Sequence, residues 1–379
     1  MGDTLEYFIG SSSLLVGTLL PFIFVLAVVV FVHEMGHFLV GRWCGIGVKA
    51  FSIGFGPEVL GYTARNGTRW KLCAIPLGGY VKFVGDENAA SGPNGEIIST
   101  LTEAERKVAF ANQKVWKRAA TVFAGPAFNF LLTIAILSFF FASYGRMVAD
   151  PMIAEVRDGS PAATAGFKAG DRFVMVDGSK ITTFADVQRI VNGRSGDELS
   201  FTVERDGREL NLKAVPEITE QTDQLGNKIK LGVIGVTTTD SAGNFRRIEY
   251  SPLESVGAAV VETGHIITRT GTFLKRMVMG REDKCQLGGP VKIANMAGQA
   301  AQHGFEWIVQ LIAMLSVGIG LFNLFPIPPL DGGHLVIYAG EAVLGRPVPV
   351  AMQELFFKLG FLVVLGFMGF VFYNDLFAC

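Results

Sequence analysis

The chain has 379 residues, with 33 Lys and Arg against 34 Asp and Glu and a formal net charge of −1. This balance excludes the clustered basic excess of a nucleic-acid-binding protein, so we expect no nucleic-acid partner. Only 18% of the residues are charged, whereas soluble domains have about 25%, and part of the chain is therefore expected to lie in a lipid bilayer. The four cysteines form no CxxC pair, so a metal site would have to use histidine and carboxylate ligands.

The first apolar segment runs without a charge from Leu14 to Val32. A bilayer core of about 30 Å requires roughly 20 helical residues, which this segment supplies. Residues 1–13 contain no Lys or Arg, so the basic start of a cleavable signal peptide is missing. We therefore predict a retained transmembrane span within 1–40.

Three further apolar segments predict transmembrane spans at 119–145, 306–336 and 355–374, which makes about four in all. Prolines near the end of the third span should break its helix, and broken backbone is tolerated at membrane depth only where protein or a water-filled cavity satisfies it. These prolines are Pro326, Pro328 and Pro329.

The basic residues near the spans predict the orientation of the chain. Segment 41–118 holds eleven Lys and Arg and residues 1–13 hold none, so 41–118 should be cytosolic and the amino terminus outside. Alternation of the spans then places the region from 145 to 305 outside.

The cytosolic segment 41–118 should contain a β element, because FSIGFGP and GTRWKLCAIPLGGYVKF read as short strands bounded by Gly and Pro. Outside the membrane, 150–240 shows short alternating strands with Gly/Asp turns and one helix at Phe184 to Val191. Through SPAATAGFKAGD, the VDG turn and ERDG, this region resembles a bacterial PDZ domain, with 218–250 as its closing strand. Segment 250–305 is expected to be helical and amphipathic and to lie on the outer membrane face.

The sequence His33-Glu34-Met35-Gly36-His37 is an HExxH motif at the end of the first apolar run. On a helix, positions i and i+4 share a face, so both imidazoles can bind one ion while Glu34 polarises a metal-bound water. A hydrolytic zinc usually has three protein ligands, and Asp331 and His334 are both candidates for the third. Spacing alone does not choose between them. The other histidines are expected to be ordinary surface residues: His265 and His303.

Together with these motifs, RAATVFAGPAFNF, GGPVKIA and NLFPIPPLDGGH make the chain similar to the site-2 protease family, the M50 type of zinc intramembrane metalloprotease, and most closely to its bacterial branch of sigma-E regulators. The resemblance implies a polytopic α-helical membrane protein with a cytosolic, membrane-associated β element and an inserted extracytoplasmic PDZ domain of α+β type. In AGPAFNF, Gly125, Pro126 and Asn129 are expected mainly to allow close helix packing.

The resemblance also assigns roles to individual residues. It implies one Zn²⁺ per chain, held by His33, His37 and Asp331, with Glu34 as the catalytic base. It further implies that Asn323 holds the substrate backbone or the oxyanion. The substrate would pair with the β element around three residues of the cytosolic segment: Gly78, Gly79 and Tyr80.

The function implied is zinc-dependent cleavage of a transmembrane segment in single-span membrane proteins of the bacterial inner membrane, such as an anti-sigma factor or signal-peptide remnants. The PDZ domain, single here although many relatives carry two in tandem, would lie in the periplasm and take a peptide or carboxy-terminal ligand or act as a steric filter. The alternative is a non-catalytic membrane scaffold with a structural zinc site, which would normally close with four protein ligands.

Overall fold

The computed structural model describes residues 15–86, 101–222, 228–238, 245–280 and 287–378. Residues 1–13, on which the predicted orientation partly rests, lie outside this part of the chain. The chain divides into two compact units. The membrane unit comprises Met1–Ile136 and Gly288–Cys379, and the inserted unit comprises Leu137–Leu287.

The membrane unit is mostly helical and includes one long β hairpin, whereas the inserted unit contains short strands and several helices. The helices are α1 (Leu20–Trp43), α2 (Glu103–Val108), α3 (Val115–Tyr144), α4 (Pro161–Ala165), α5 (Phe184–Asn192), α6 (Pro252–Val278), α7 (Pro290–His303), α8 (Phe305–Asn323), α9 (Asp331–Leu344) and α10 (Val350–Tyr373). The strands are β1 (Val48–Thr63), β2 (Arg69–Phe83), β3 (Arg146–Ala149), β4 (Glu155–Val156), β5 (Arg172–Val176), β6 (Ser179–Lys180), β7 (Leu199–Arg205), β8 (Arg208–Ala214), β9 (Glu217–Thr222), β10 (Lys228–Val233), β11 (Val236–Thr237) and β12 (Phe245–Ile248).

Among the described residues, four helical segments are long and apolar enough to cross a membrane: Val16–Trp43, Val115–Tyr144, Phe305–Asn323 and Ala351–Phe377. The predicted number of spans is confirmed. The first span differs from the prediction in one respect, because its helix continues through the HExxH motif to Trp43. The motif therefore lies inside the helix rather than at its end.

The predicted break near the end of the third span is present in the structure, but the predicted bound at residue 336 is wrong for a single helix. Helix α8 ends at Asn323 and a separate helix, α9, begins at Asp331. Proline cannot donate a backbone hydrogen bond, and three prolines fall between these two helices. Two glycines of α9 allow the connecting loop to fold closely against the helix, since a Cβ on Gly333 would lie 2.6 Å from Pro328 N and one on Gly332 would lie 2.5 Å from Leu324 C.

The first half of α1 packs against α7 and α8 in an apolar cluster. Its buried members are Val25, Val29, Ala297, Ala300, Leu311 and Ile312. The approach of α7 is close, because a Cβ on Gly298 would lie 2.9 Å from Gly17 O. The segment predicted to be helical at 250–305 contains two helices that fall in different units: α6 belongs to the inserted unit, whereas α7 packs within the membrane unit. Between them lies Gly288-Gly289-Pro290, a sequence that favours a helix boundary.

The β element of segment 41–118 is an antiparallel hairpin of β1 and β2. It bends back on itself, so that residues 50–53 of β1 face both 79–82 and 69–72 of β2. In the described part of the chain, 79–83 has only β1 as a strand partner and forms one edge of the element. Apolar residues near this edge pack on Phe38 of α1, and they include Phe51, Val81 and Phe83.

The inserted unit is built on a four-stranded sheet with the order β6-β5-β7-β8. The Asp177-Gly178 and Asp206-Gly207 turns both have positive φ at the aspartate and the glycine, as tight hairpin turns require. The sheet and α5 enclose an apolar core centred on fully buried aromatic side chains: Phe173 and Phe201.

Asp171 is a buried charge at the start of this sheet. Its carboxylate accepts hydrogen bonds from Arg205 Nε at 2.6 Å and from the Lys168 backbone N–H at 2.9 Å. Burial alone would raise the pKa of Asp171, but these two partners lower that pKa more, so it lies below its ordinary value. The carboxylate therefore remains charged and fixes the loop before β5 to the end of β7.

The single closing strand predicted at 218–250 is also wrong. The structure has four short strands there, of which β9 and β10 form their own hairpin, while β11 pairs with β4 and β12 pairs with β3. Gly235, at φ 83°, separates β10 from β11, and a backbone in this region readily changes direction. Residues 223–227 and 239–244 of this segment lie outside the described part.

Candidate metal centre

His33 and His37 lie one helical turn apart on α1, as their spacing predicts. Their Nε2 atoms are 3.2 Å apart, and both side chains are buried. Helix formation alone therefore directs two imidazole nitrogens toward the same point.

Asp331, the first residue of α9, supplies a third ligand atom. Its Oδ2 lies 3.2 Å from His33 Nε2 and 3.5 Å from His37 Nε2. The atom is buried, and among the described residues no donor forms a hydrogen bond of normal geometry with it. Zn–N and Zn–O bonds of about 2.1 Å place two ligands of a tetrahedral zinc about 3.4 Å apart. The three distances fit a zinc ion held by these residues.

Glycines bring the helices of the centre close together. A Cβ on Gly36 of α1 would lie 2.8 Å from the Ala124 carbonyl carbon of α3. A Cβ on Gly125 of α3 would lie 2.5 Å from His37 Cε1 and 2.9 Å from His33 Cε1. The backbone of α3 thus forms the wall against which both histidines rest, in agreement with the packing role expected for Gly125.

The ring of His37 is held by a second hydrogen bond. Its Nδ1 lies 2.9 Å from the backbone carbonyl of Thr121. Since a carbonyl can only accept, Nδ1 donates and Nε2 is left free as a ligand atom. A partner of this kind on the far nitrogen is typical of metal-binding histidines.

The reasoning from sequence did not assign Asn129 to the centre. The structure places its amide nitrogen 3.3 Å from His33 Nδ1, in a fully buried position on α3. The available signal was a polar amide within an apolar span, which is costly in a membrane and often marks a functional position.

Glu34 lies between the metal ligands on α1 and the edge of the β hairpin. A Cβ on Gly79 would be 3.0 Å from Glu34 Cγ, so the strand passes directly beside this carboxylate. Gly78 adopts a φ of 118°, and Tyr80 stacks on Phe55 with ring centroids 6.1 Å apart. The structure therefore brings Gly79 next to the predicted base, with Tyr80 on the same edge and Gly78 directly before it.

The two other residues considered from the sequence are not joined to the ligand set. Asn323 ends α8, and its amide donates to the Ile319 carbonyl at 3.0 Å. The ring of His334 packs against Phe357, with centroids 4.9 Å apart. Within the described residues, the group whose ligand atoms converge is His33, His37 and Asp331.

Comparisons with known proteins agree with this chemistry. Residues 21–367 match the model of the protein family described as peptidase family M50. A Brucella suis protein named "Putative zinc metalloprotease" is 71% identical over 379 residues, which cover 100% of both chains. The "Metalloprotease MmpA" of Caulobacter vibrioides is 38% identical over 94% of this chain and 95% of its own.

Among solved structures, the PDZ domain of the SdrC-like protein from Listeria monocytogenes is similar to part of this chain. The match covers 23% of this chain and 83% of the Listeria chain, with 21% identity and a TM-score of 0.18.

The family match extends over nearly the whole chain and includes both the HExxH motif and Asp331. The resemblance to site-2 proteases is confirmed, and zinc is the metal that proteases of this family use. The chain belongs to peptidase family M50 and is a multi-pass membrane metalloprotease.

Proposed function

We propose that this protein is a zinc-dependent intramembrane endopeptidase that cleaves a transmembrane segment of single-span membrane proteins. One observation carries the proposal: two histidine nitrogens of a helix apolar enough to span a membrane and a carboxylate oxygen from the start of α9 converge within 3.5 Å of one another. Ionisable groups at such depth are costly and mark function by default.

His33, His37 and Asp331 would hold the zinc ion, which when bound polarises a peptide carbonyl and lowers the pKa of water toward about 7. Glu34, adjacent to both histidines on α1, accepts the proton of the attacking water and returns it to the leaving amine. Asn323 uses one amide N–H on Ile319, and its second N–H would donate to the oxyanion or to the substrate backbone.

The substrate must be unwound, because a transmembrane helix hides its carbonyl groups in its own hydrogen bonds. Residues 79–83 offer a strand edge beside Glu34, to which an extended segment could add as a further strand. Main-chain pairing at Gly78, Gly79 and Tyr80 would then supply affinity with little demand on the substrate's sequence.

The depth of the centre predicts where cleavage occurs. His33 lies ten residues before the end of α1 at Trp43, which corresponds to about 15 Å along a helix. If segment 41–118 is cytosolic in a bacterial inner membrane, the scissile bond lies toward the cytosolic side. An anti-sigma factor and signal-peptide remnants are candidate substrates, because each has a single transmembrane segment. The PDZ-like region of the inserted unit would face the periplasm.

The alternative function is a non-catalytic scaffold with a structural zinc site. Such sites normally use four protein ligands and need no base beside them. The fourth candidate, His334, packs on Phe357 instead, and Glu34 lies next to the ligands in sequence. The arrangement with three ligands and a neighbouring carboxylate favours hydrolysis.

The test compares wild type with Glu34→Gln and, as a matched control, Glu354→Gln, which alters an exposed glutamate on α10. Cleavage of a single-span reporter in lipid should fall by at least about 1,000-fold in Glu34→Gln, with zinc content unchanged, because the base supplies proton transfer in both steps. Glu354→Gln should cleave normally. Full activity in Glu34→Gln would reject the proposal.

The ligand set is tested separately through zinc content. Asp331→Asn should lose zinc, whereas His334→Ala should retain it. Loss of zinc only in the His334 variant would overturn the assignment of Asp331.

A further inference from the structure

Asn129 is a buried amide that the mechanism above does not use. Its side chain is 0% exposed, and its amide nitrogen lies 3.3 Å from His33 Nδ1. Its Oδ1 is buried and has no hydrogen-bond partner among the described residues. A buried amide with an unpartnered oxygen is costly, so this position requires an explanation.

The backbone around Asn129 is fixed from the side of α8. Ser316 Oγ of α8 donates to the Asn129 carbonyl at 2.9 Å. A Cβ on Gly320 would lie 3.2 Å from Asn129 Cβ, so α8 covers the residue closely. The backbone and the Cβ of Asn129 are therefore held in place beside His33.

The chemistry of His33 decides which atom of the amide faces it. A neutral imidazole that binds a metal through Nε2 carries its proton on Nδ1 and needs an acceptor there. An amide nitrogen cannot accept, whereas the amide oxygen can, and the two exchange places by rotation about the last side-chain bond. His37 has the same arrangement, with the Thr121 carbonyl on its Nδ1. In either orientation of the amide, one of its two polar atoms has no hydrogen-bond partner. The orientation is therefore decided by His33, whose Nδ1–H needs an acceptor.

We propose that Asn129 is a positioning residue of the metal centre, whose Oδ1 accepts the Nδ1–H of His33 and so directs Nε2 toward the metal. The inference rests on the proposed zinc site. It gives each histidine its own acceptor, one from a backbone carbonyl and one from a side chain, both supplied by α3.

The test measures zinc affinity of the full-length protein by competition with a chelator, for wild type, Asn129→Ala, Asn129→Asp and Thr133→Val. Loss of such a supporting acceptor typically weakens metal binding by about 10- to 100-fold, which is the loss expected for Asn129→Ala. Asn129→Asp keeps an acceptor and should bind zinc as tightly as wild type or more tightly. Thr133→Val removes a neighbouring hydroxyl that donates to the Ala313 carbonyl at 2.8 Å and does not reach His33, and it should leave zinc affinity unchanged.

A second readout uses the Co²⁺-substituted protein, in which ligand N–H protons are shifted in the ¹H NMR spectrum. The Nδ1–H of His33 should exchange slowly with D₂O in wild type and in Asn129→Asp, and rapidly in Asn129→Ala. If Asn129→Ala does not fold, Asn129→Asp still decides, because an amide that served only as a donor could not be replaced by a carboxylate.

Zinc affinity of Asn129→Ala within twofold of wild type, or a loss of zinc in Asn129→Asp, would overturn the inference. These results differ from a failure of the proposed function, in which the wild-type protein itself would bind no stoichiometric zinc through His33, His37 and Asp331.

Discussion

At the scale of single residues, the metal centre depends on a glycine beside the ligands as well as on the ligands themselves. Gly125 faces both imidazoles, and a methyl group there would lie 2.5 Å from His37 Cε1. Carbon atoms in contact normally stand about 3.5 to 4 Å apart. The rings cannot retreat easily, because His37 is tied to Thr121 and His33 to Asn129.

We therefore predict that Gly125→Ala weakens zinc binding by about tenfold or more, since displaced ligands lose the tetrahedral arrangement that zinc requires. The measurement is zinc affinity by chelator competition. Gly318→Ala is the matched control, because it changes a helical glycine of α8 with nothing within 4 Å of the new methyl group. Equal zinc affinity in both variants would contradict the role given to Gly125.

At the scale of elements, α7 is held at its start by a residue from the far end of the chain. The carboxylate of Asp375, just after α10, accepts backbone hydrogen bonds from Gly289 at 3.0 Å and from Val291 and Lys292 at 3.2 Å. The first N–H groups of a helix have no partner within it, and a carboxylate there also interacts favourably with the helix dipole. Asp375 thus fixes α7, which in turn packs on the first half of α1.

Replacing Asp375 by Ala should destabilise the start of α7 by about 1 to 2 kcal/mol, the usual cost of losing a cap. Hydrogen exchange followed by mass spectrometry should show faster exchange at 289–293, while zinc affinity stays at the wild-type value because the metal ligands lie on the second half of α1 and at the start of α9. Glu354→Ala, which changes an exposed residue of the preceding helix α10, is the control. Unchanged exchange in the Asp375 variant would show that the cap does not stabilise α7.

The elements that could be predicted from the sequence are those with a local signal. Apolar length predicted four spans, Asp-Gly pairs predicted turns of the inserted unit, and the spacing of His33 and His37 predicted a shared helix face. The contact of Asn129 with His33 joins residues 96 positions apart, and that of Asp375 with Gly289 joins residues 86 apart. No local pattern encodes such pairs, because they depend on which helices pack together.

At the scale of the whole molecule, the two ends of the membrane unit can be distinguished by their contacts. At one end, Lys117 Nζ donates to the Cys44 carbonyl at 2.8 Å, and Arg118 pairs with Glu341 at 2.6 Å. Helix α1 therefore finishes where α3 begins. At the other end, the turn before α1 meets α7, and the end of α10 meets the start of α7. This arrangement is consistent with alternating crossings by α1, α3, α8 and α10.

The distribution of basic residues predicts which end of the membrane unit is cytosolic. Basic residues near the ends of spans are retained on the cytosolic side, and segment 41–118 carries eleven of them. We predict that Arg65, exposed between β1 and β2, lies in the cytosol, and that Asp158, exposed in the inserted unit, lies outside.

The test places a single cysteine at either position in a protein whose four native cysteines are replaced, and treats spheroplasts with a membrane-impermeant maleimide. Asp158→Cys should be labelled in intact spheroplasts, and Arg65→Cys only after permeabilisation. Labelling of both variants after permeabilisation, with zinc retained, shows that each chain is folded and reachable. The reverse pattern would invert the orientation and place the released fragment on the outer side, because the metal centre lies nearer the end of α1 that leads into segment 41–118.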